Sequence, residues 1–323
     1  MHNFPWYRFY PKNVKTDIDV QAYSSVVNLF EESVKNYGTS VAYECMGKTI
    51  TFNEVDKLSK DFASYLQNHL KLKKGDRVAI QMPNCLQYPV AMFGVLRAGM
   101  VVVNTNPLYT PREMEHQFKD SGAKAIVIVA NFASSLEKIL GNTSIKHVFV
   151  TELGDMLGFP KKQIVNFVVK SVKKMVPAFS LPGSVSLKTA LAKGSKHHLI
   201  RVISSLADPA FLQYTGGTTG LSKGAVLTHR NIVAAILQAE TWFAPALSRL
   251  PDLRKVNSIA ALPLYHIFAL TLCFLAMRQG SHLTLVPNPR DFAKFIETLK
   301  TRPFHMLPGV NTLFNALLQH PMF

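Results

Sequence analysis

At 323 residues, 48% of them hydrophobic and with 18 prolines and 17 glycines spread along it, the chain can bury a large core and is neither a stapled miniprotein nor a disordered segment. Its formal net charge of +16 favours anionic partners, yet no helix-turn-helix, zinc or aromatic RNA-binding signature accompanies it, so nucleic acid is not expected. Cys45, Cys85 and Cys273 lie far apart without C-x-x-C spacing, which argues against zinc or a disulfide framework and for a reduced, cytoplasmic setting.

In chain order, MHNFPWYRFYPKN lacks the continuous apolar core of a secretory signal, and its aromatics Phe4, Trp6, Tyr7 and Phe9 are expected to pack on the body. SSVVNLFEESVKNY sets Val26, Phe30, Val34 and Tyr37 on one helical face. Thr51 with Glu54 forms a capping box ahead of a helix carrying Val55, Leu58, Phe62 and Leu66. GDRVAIQM reads as a strand, Leu86 to Arg97 as a helix and MVVVNTN as a strand. A second capping box, Thr110 with Glu113, opens PREMEHQFKD, with Pro111 in the first turn and Gly122 as the stop before the strand AKAIVIVA. Tyr109, Arg112 and His116 share this polar run, which surface capping accounts for.

Residues 156–207 hold no Asp or Glu but include Lys161, Lys162, Lys170, Lys173, Lys174, Lys188, Lys193, Lys196 and Arg201. Within them Ile164, Phe167, Val168, Val172, Met175 and Val176 recur at near-helical spacing. This is a basic amphipathic helix suited either to an anionic membrane surface or to packing on its own domain. Beyond it the pattern runs FLQYT, a glycine-rich loop, GAVLTH, a helix from Asn231, SIAALPL, a helix after His266, HLTLVP, a helix after Asp291, HMLP, and a last helix to about Gln319. Residues 259–277 lack Asp, Glu, Lys and Arg and match a membrane span in length. Pro263, Tyr265 and His266 interrupt them, and a strand followed by a buried helix is the expected form. The alternation predicts an α/β fold of two lobes, with mixed, mostly parallel sheets flanked by helices. The lobes are expected at 1–200, with the basic segment near its end, and 201–323.

The loop, YTGGTTGLSKGAVLTH, is the densest chemical signal. Glycines let a ligand approach the main chain, threonine and serine hydroxyls donate, and Lys223 adds a cation, which together suit a triphosphate. A plain hairpin needs two to five turn residues and no lysine. The G-x-x-x-x-G-K-[ST] pattern fails, because Leu221 and Ser222 stand where its second glycine would and Gly224 follows Lys223. A P-loop kinase or GTPase is therefore disfavoured.

YTGGTTGLSKGAVLTHRN, NTNPLYTPREMEHQFKDSGAKAIVI, ALPLYHIFALT and PGVNTLFNALL together resemble the adenylate-forming acyl-CoA synthetases, and most of all the bacterial long-chain fatty acid CoA ligases. The resemblance covers nearly the whole chain. It implies a two-step reaction in which a fatty-acid carboxylate attacks the α-phosphorus of ATP and the thiol of coenzyme A then displaces AMP. By the family pattern Tyr214, Thr215, Gly216, Gly217, Thr218, Thr219, Gly220, Leu221, Ser222, Lys223, Gly224 and Ala225 form the nucleotide-binding loop. Thr218 and Thr219 are the candidate Mg²⁺ donors, and His266, Lys223 and Thr218 the candidate catalytic residues. Tyr265, His266, Phe268, Asn311 and Phe314 are the candidate acyl-site residues.

The chain ends at Phe323 without the family's Y-G-x-T-E motif, ribose-binding aspartate or small C-terminal domain. The expectation is the N-terminal part of a longer enzyme, nearly inactive alone. Peripheral contact with the inner face of an anionic membrane suits the substrate, and a homodimer is compatible. A ligase for a medium-chain or aryl acid and a non-catalytic membrane-binding module are the alternatives.

Overall fold

The computed structural model describes residues 4–12, 14–215, 221–250, 252 and 256–323. The near-continuous apolar runs become strands buried on both faces, the usual condition of a parallel sheet. These are β3 (Arg77–Gln81), β4 (Val101–Asn104) and β5 (Ala125–Val129). They sit in a seven-stranded sheet, β7-β6-β5-β3-β4-β8-β9, with β6 at His147–Thr151, β7 at Val185–Ser186, β8 at Pro209–Thr215 and β9 at Lys223–Thr228. All its pairings are parallel except β8 with β9. The chain leaves β3 for β4 on one side and then crosses back to β5 on the other. That reversal opens a crevice at the carboxyl ends of the strands, where open α/β sheets bind ligands.

A second sheet of four strands runs β10-β11-β1-β2, with β1 at Val41–Cys45, β2 at Lys48–Thr51, β10 at Asn257–Ala260 and β11 at His282–Leu285. Each sheet thus takes strands from both sides of residue 200, so sheet membership does not follow the expected division there. The physical reason is pairing: β8 and β9 extend the first sheet beyond β4, while β1 pairs in parallel with β11 more than 230 positions away.

The amphipathic patterns fold as α1 (Val26–Tyr37) and α2 (Phe52–Asn68), the second with its Thr51–Glu54 box formed. α3 (Gln87–Arg97) is buried along its whole length. α4 (Pro111–Ser121) has its Thr110–Glu113 box, and Gly122 ends it in the left-handed region at φ 58°. Thr228 and Asn231 form a third reciprocal box at the start of α8 (His229–Leu247), with the short α5 (Ala133–Glu137), α6 (Lys161–Phe167) and α7 (Leu187–Gly194) between. α9 (Ile267–Arg278) and β10 account for the apolar stretch 259–277, and no helix among the described residues is long and apolar enough to cross a membrane.

α10 (Phe292–Thr301) follows its Asp291 cap, and α11 (Asn311–Leu318) is the last helix. Among the described residues HMLP makes one parallel bridge, Ser258 to Met306, rather than a strand. Pro308 has no N–H to continue a ladder. One core connects the two sheets, running from Val78 and Ile80 through Phe93 and Phe274 to Leu283 and Leu285. Phe30 stacks on Phe93 at 3.9 Å, and Phe274 meets Phe211 edge-on at 6.1 Å.

Two surface expectations change. Tyr10 packs on Trp242 of α8 at 4.9 Å, but Trp6 and Phe9 stay exposed. The basic helix is shorter than its apolar spacing predicts. α6 continues in wider turns through Val168–Val172 and ends there, with Lys174 in the left-handed region and Met175 and Val176 beyond the helix.

Candidate functional site

The glycine-rich loop spans the tip of the β8–β9 hairpin. Gly216, Gly217, Thr218, Thr219 and Gly220 lie outside the described residues, and with them the candidate Mg²⁺ donors. The base of the hairpin is defined: Thr215 pairs with Lys223, Tyr214 with Gly224 and Gln213 with Ala225. Thr215, Leu221, Lys223 and Ala225 are exposed and Ser222 is half-buried. Lys223 has no acidic partner among the described residues, so its charge is open to a ligand.

Tyr214 is the anchor of this hairpin. Its hydroxyl donates to Asp120 Oδ2 on α4 at 2.5 Å. Burial first, and then the Asp120 carboxylate, push its phenol well above the ordinary range. A Cβ on Gly224 would meet Tyr214 Cζ at 2.8 Å, so the close approach of the two strands requires glycine there. His116, read from sequence as part of a capping run, reaches the loop instead: its Nε2 lies 2.7 Å from the Ser222 carbonyl oxygen.

The second wall is the turn between β10 and α9. Asn84 holds it by three hydrogen bonds. Its Nδ2 donates to the carbonyls of Ala260 and Leu262, each at 2.9 Å, and its Oδ1 accepts from Leu264 N at 2.8 Å. Tyr88 OH donates to Asn104 Oδ1 at 2.8 Å and contacts the Leu264 carbonyl at 3.0 Å. Asn104 Nδ2 donates to Gln213 Oε1 at 3.2 Å, and Gln213 Nε2 donates to the Tyr265 carbonyl at 2.8 Å. This chain of buried amides ties the strand that carries the glycine loop directly to the turn that carries His266.

His266 occupies the N-cap position of α9 with its side chain making no cap bond, and no acidic residue sits in the helix's first turn. The first backbone N–H groups of α9 and the positive end of its dipole are thus open to an anion. His266 is exposed, and Tyr265 lies against its ring, ring centres 4.6 Å apart. Desolvation holds its pKa below the ordinary value, which favours the neutral ring near pH 7. Burial likewise raises the Tyr265 phenol, with Arg290 opposing.

Asn311 and Phe314 stand on α11. Met306 runs parallel to β10, so the chain that leads into α11 emerges at the same carboxyl edge as the His266 turn. Phe314 lies over Gly309, where a Cβ would meet its ring at 2.6 Å, and Asn311 is exposed. Behind the turn, Ala260, Leu262, Ala269, Leu272, Met306 and Pro308 line a narrow apolar cavity of about 20 Å³. Phe268 faces outward, half-exposed.

Sequence reading missed Asn84, Tyr88, Asn104, Gln213 and His116. A signal existed for three of them: an amide inside or ending an apolar strand, as in VVVN and FLQY, or between a strand and a buried helix, must find partners once buried. The three cysteines are buried, and burial raises the Cys85 and Cys273 thiols to about 12, so they stay protonated.

Comparison with known proteins bears on the family and the fold. Residues 30–323 match the family model described as AMP-binding enzyme. The chain is 49% identical over 319 residues to a long-chain-fatty-acid CoA ligase of Haemophilus influenzae and 50% identical over 319 to one of Escherichia coli O6:H1, in each case covering 98% of this chain and 56% of the relative. It therefore spans a little over half the length of these curated relatives. Among solved structures, the anthranilate CoA ligase AuaEII in complex with anthranoyl-AMP superposes with a TM-score of 0.75 at 19% identity, over 94% of this chain and 55% of that one, a likeness of fold. From the sequence match, the chain belongs to the AMP-binding enzyme family.

Proposed function

We propose that the whole protein activates long-chain fatty acids with ATP and coenzyme A. The observation that carries this reading is the 2.8 Å bond from Gln213 to the Tyr265 carbonyl, which sets the glycine-loop strand of one sheet beside the His266 turn that follows β10 of the other. A carboxylate held at the N-terminus of α9 attacks the α-phosphorus; an acyl oxygen–phosphorus bond forms, the bond to the β-phosphate bridging oxygen breaks, and pyrophosphate leaves. Tyr214 to Ala225, with Thr215 and Lys223 at the hairpin base, hold the β- and γ-phosphates of the departing group. Neutral His266 hydrogen-bonds the acyl carboxylate, and Tyr265, Phe268, Asn311 and Phe314 border the chain. The coenzyme A thiol then attacks the acyl carbon and AMP departs.

The hydroxyl donor set of this loop suits a hard cation, and Thr218 and Thr219 would hold Mg²⁺, which neutralises phosphate charge when bound. Peripheral contact with the inner face of the membrane accompanies the reaction. Phe159, Phe167, Val172 and Met175 are exposed beside Lys170, Lys173 and Lys174, an arrangement suited to an anionic bilayer surface. Replacing these three lysines with glutamate is expected to reduce co-sedimentation with phosphatidylglycerol vesicles, and unchanged sedimentation counts against the contact.

The activity is tested by acid-dependent ATP–pyrophosphate exchange. It is measured for the 323-residue chain and for the chain joined to the C-terminal part of a relative about 50% identical. Exchange that rises with hexadecanoate in the joined form supports the reading. Exchange driven only by aryl or short acids would overturn the long-chain assignment.

A further inference from the structure

No residue of the basic helix from Lys161 to Val172 is fully buried, although Val165 packs on the core and Asn166 bonds to Gly154 N and to Glu152. Between this helix and the carboxyl ends of β1 and β11 lies a groove of about 580 Å³. That volume falls in the range of roughly 300–1,000 Å³ typical of pockets that bury most of a small ligand. Lys161, Ile164, Val165, Val168, Val169 and Lys173 line one wall at spacings of three and four, the repeat of one helical face. Leu285, Val286, Pro287 and Phe295 form the other, and Lys161 Nζ donates to the Met46 carbonyl across the end.

The groove's charges decide what it fits. Arg302 is paired with Glu44 at 2.5 Å and Lys294 with Asp291 at 3.6 Å, while Glu297 sits on the α10 rim. A groove with apolar walls and the ammonium groups of Lys161 and Lys173 among its lining, neither with an acidic partner among the described residues, matches an alkyl chain that ends in a negative charge. Exposed Phe159 and Phe167 flank the same helix, so the trough opens beside the surface assigned above to the bilayer.

We propose that this groove holds one long-chain fatty carboxylate outside the adenylating site, its carboxylate at Lys173 and its chain along Val169, Val168 and Val165. The site receives substrate from the bilayer before it reaches the His266 turn. It rests on the reading of the protein as a fatty-acid-activating enzyme.

The probe is a diazirine-bearing hexadecanoic acid, photolysed with the 323-residue chain, followed by peptide mapping. Adducts are expected within 161–175 and 285–302, displaced by unlabelled hexadecanoate. Val169→Lys places a charge in the trough and is expected to abolish those adducts while leaving adducts within 259–275, at the adenylating site, unchanged; the retained adducts report an intact fold. Adducts confined to 259–275 overturn the groove and leave the ligase reading standing, and no adduct anywhere overturns the groove, while the ligase reading is judged separately by the exchange assay. Labelling by a diazirine phosphatidylglycerol in vesicles but not by the free acid assigns the groove to bilayer lipid instead. A changed mass by light scattering in Val169→Lys, with labelling intact, assigns it to a second copy of the chain.

Discussion

Asn84 is 3% exposed and spends both ends of its amide on the backbone of one turn. Removing that amide leaves the buried Leu264 N–H and the part-buried Leu262 carbonyl without their partner, while the Ala260 carbonyl keeps its bond from Val286 N. Unsatisfied buried groups cost about 1–3 kcal/mol each when no water replaces the bond. Asn84→Ala is therefore expected to destabilise the chain by about 3 kcal/mol in urea titration. Its second effect is local: with the turn loosened, His266 and the N-terminus of α9 lose their fixed position opposite the glycine loop. Acid-dependent exchange by the extended protein should then fall through kcat rather than through the KM for ATP, because the hairpin that holds phosphate is untouched. An ATP KM that rises with kcat unchanged would show that Asn84 does not act through the turn.

At the scale of elements, the hairpin and its anchor behave as one unit. The methyl of Gly224→Ala would press on the Tyr214 ring at 2.8 Å, and the ring can yield only by stretching its bond to Asp120. Overpacking of this kind costs about 1–3 kcal/mol. Tyr214→Leu removes both the ring and the bond, so the double variant is expected to lose less stability than the sum of the two singles. Strict additivity in urea unfolding would mean that the strands part without involving the ring. Much of this element structure is legible in sequence because its causes are local. The boxes at Thr51 and Thr110 announce their helices, and the crowding of glycine and hydroxyls marks the loop. The third box escaped because Asn231 stands where glutamate or glutamine is the familiar partner. Asn84 escaped for a different reason: its partners lie 176–180 positions away, and they are backbone groups with no side-chain signature. Sheet membership was hidden in the same way, since β1 carries nothing in its own sequence that names β11 as its neighbour. The basic helix was overextended because an apolar period continues through Met175 and Val176 after the backbone has turned at Lys174.

At the scale of the whole molecule, two histidines whose pKa desolvation depresses make stability depend on pH. His229 opens α8 and its Nδ1 accepts from Val26 N at the start of α1 at 3.3 Å. Burial lowers its pKa to about 4. His282 on β11 is lowered to about 4 as well, by burial and then by Arg302. In the unfolded chain each imidazole titrates near its ordinary value of about 6.5. Above that pH neither state binds the proton and the full stability is present. As pH falls from about 6.5 toward about 4, the unfolded chain takes up protons that the folded chain refuses, so stability declines with decreasing pH. Each histidine contributes on the order of 3 kcal/mol to that decline once the interval is crossed. The free energy of urea unfolding should therefore fall across this window with a slope of at least two protons, since His147 and His266 are displaced in the same direction. His229→Gln keeps an acceptor near Val26 N but cannot take a proton, so the slope between pH 4 and 6.5 should lessen by about one proton. A slope unchanged by that substitution would mean that His229 is protonated in the folded chain, and that the junction of α1 with α8 opens to water well above pH 4.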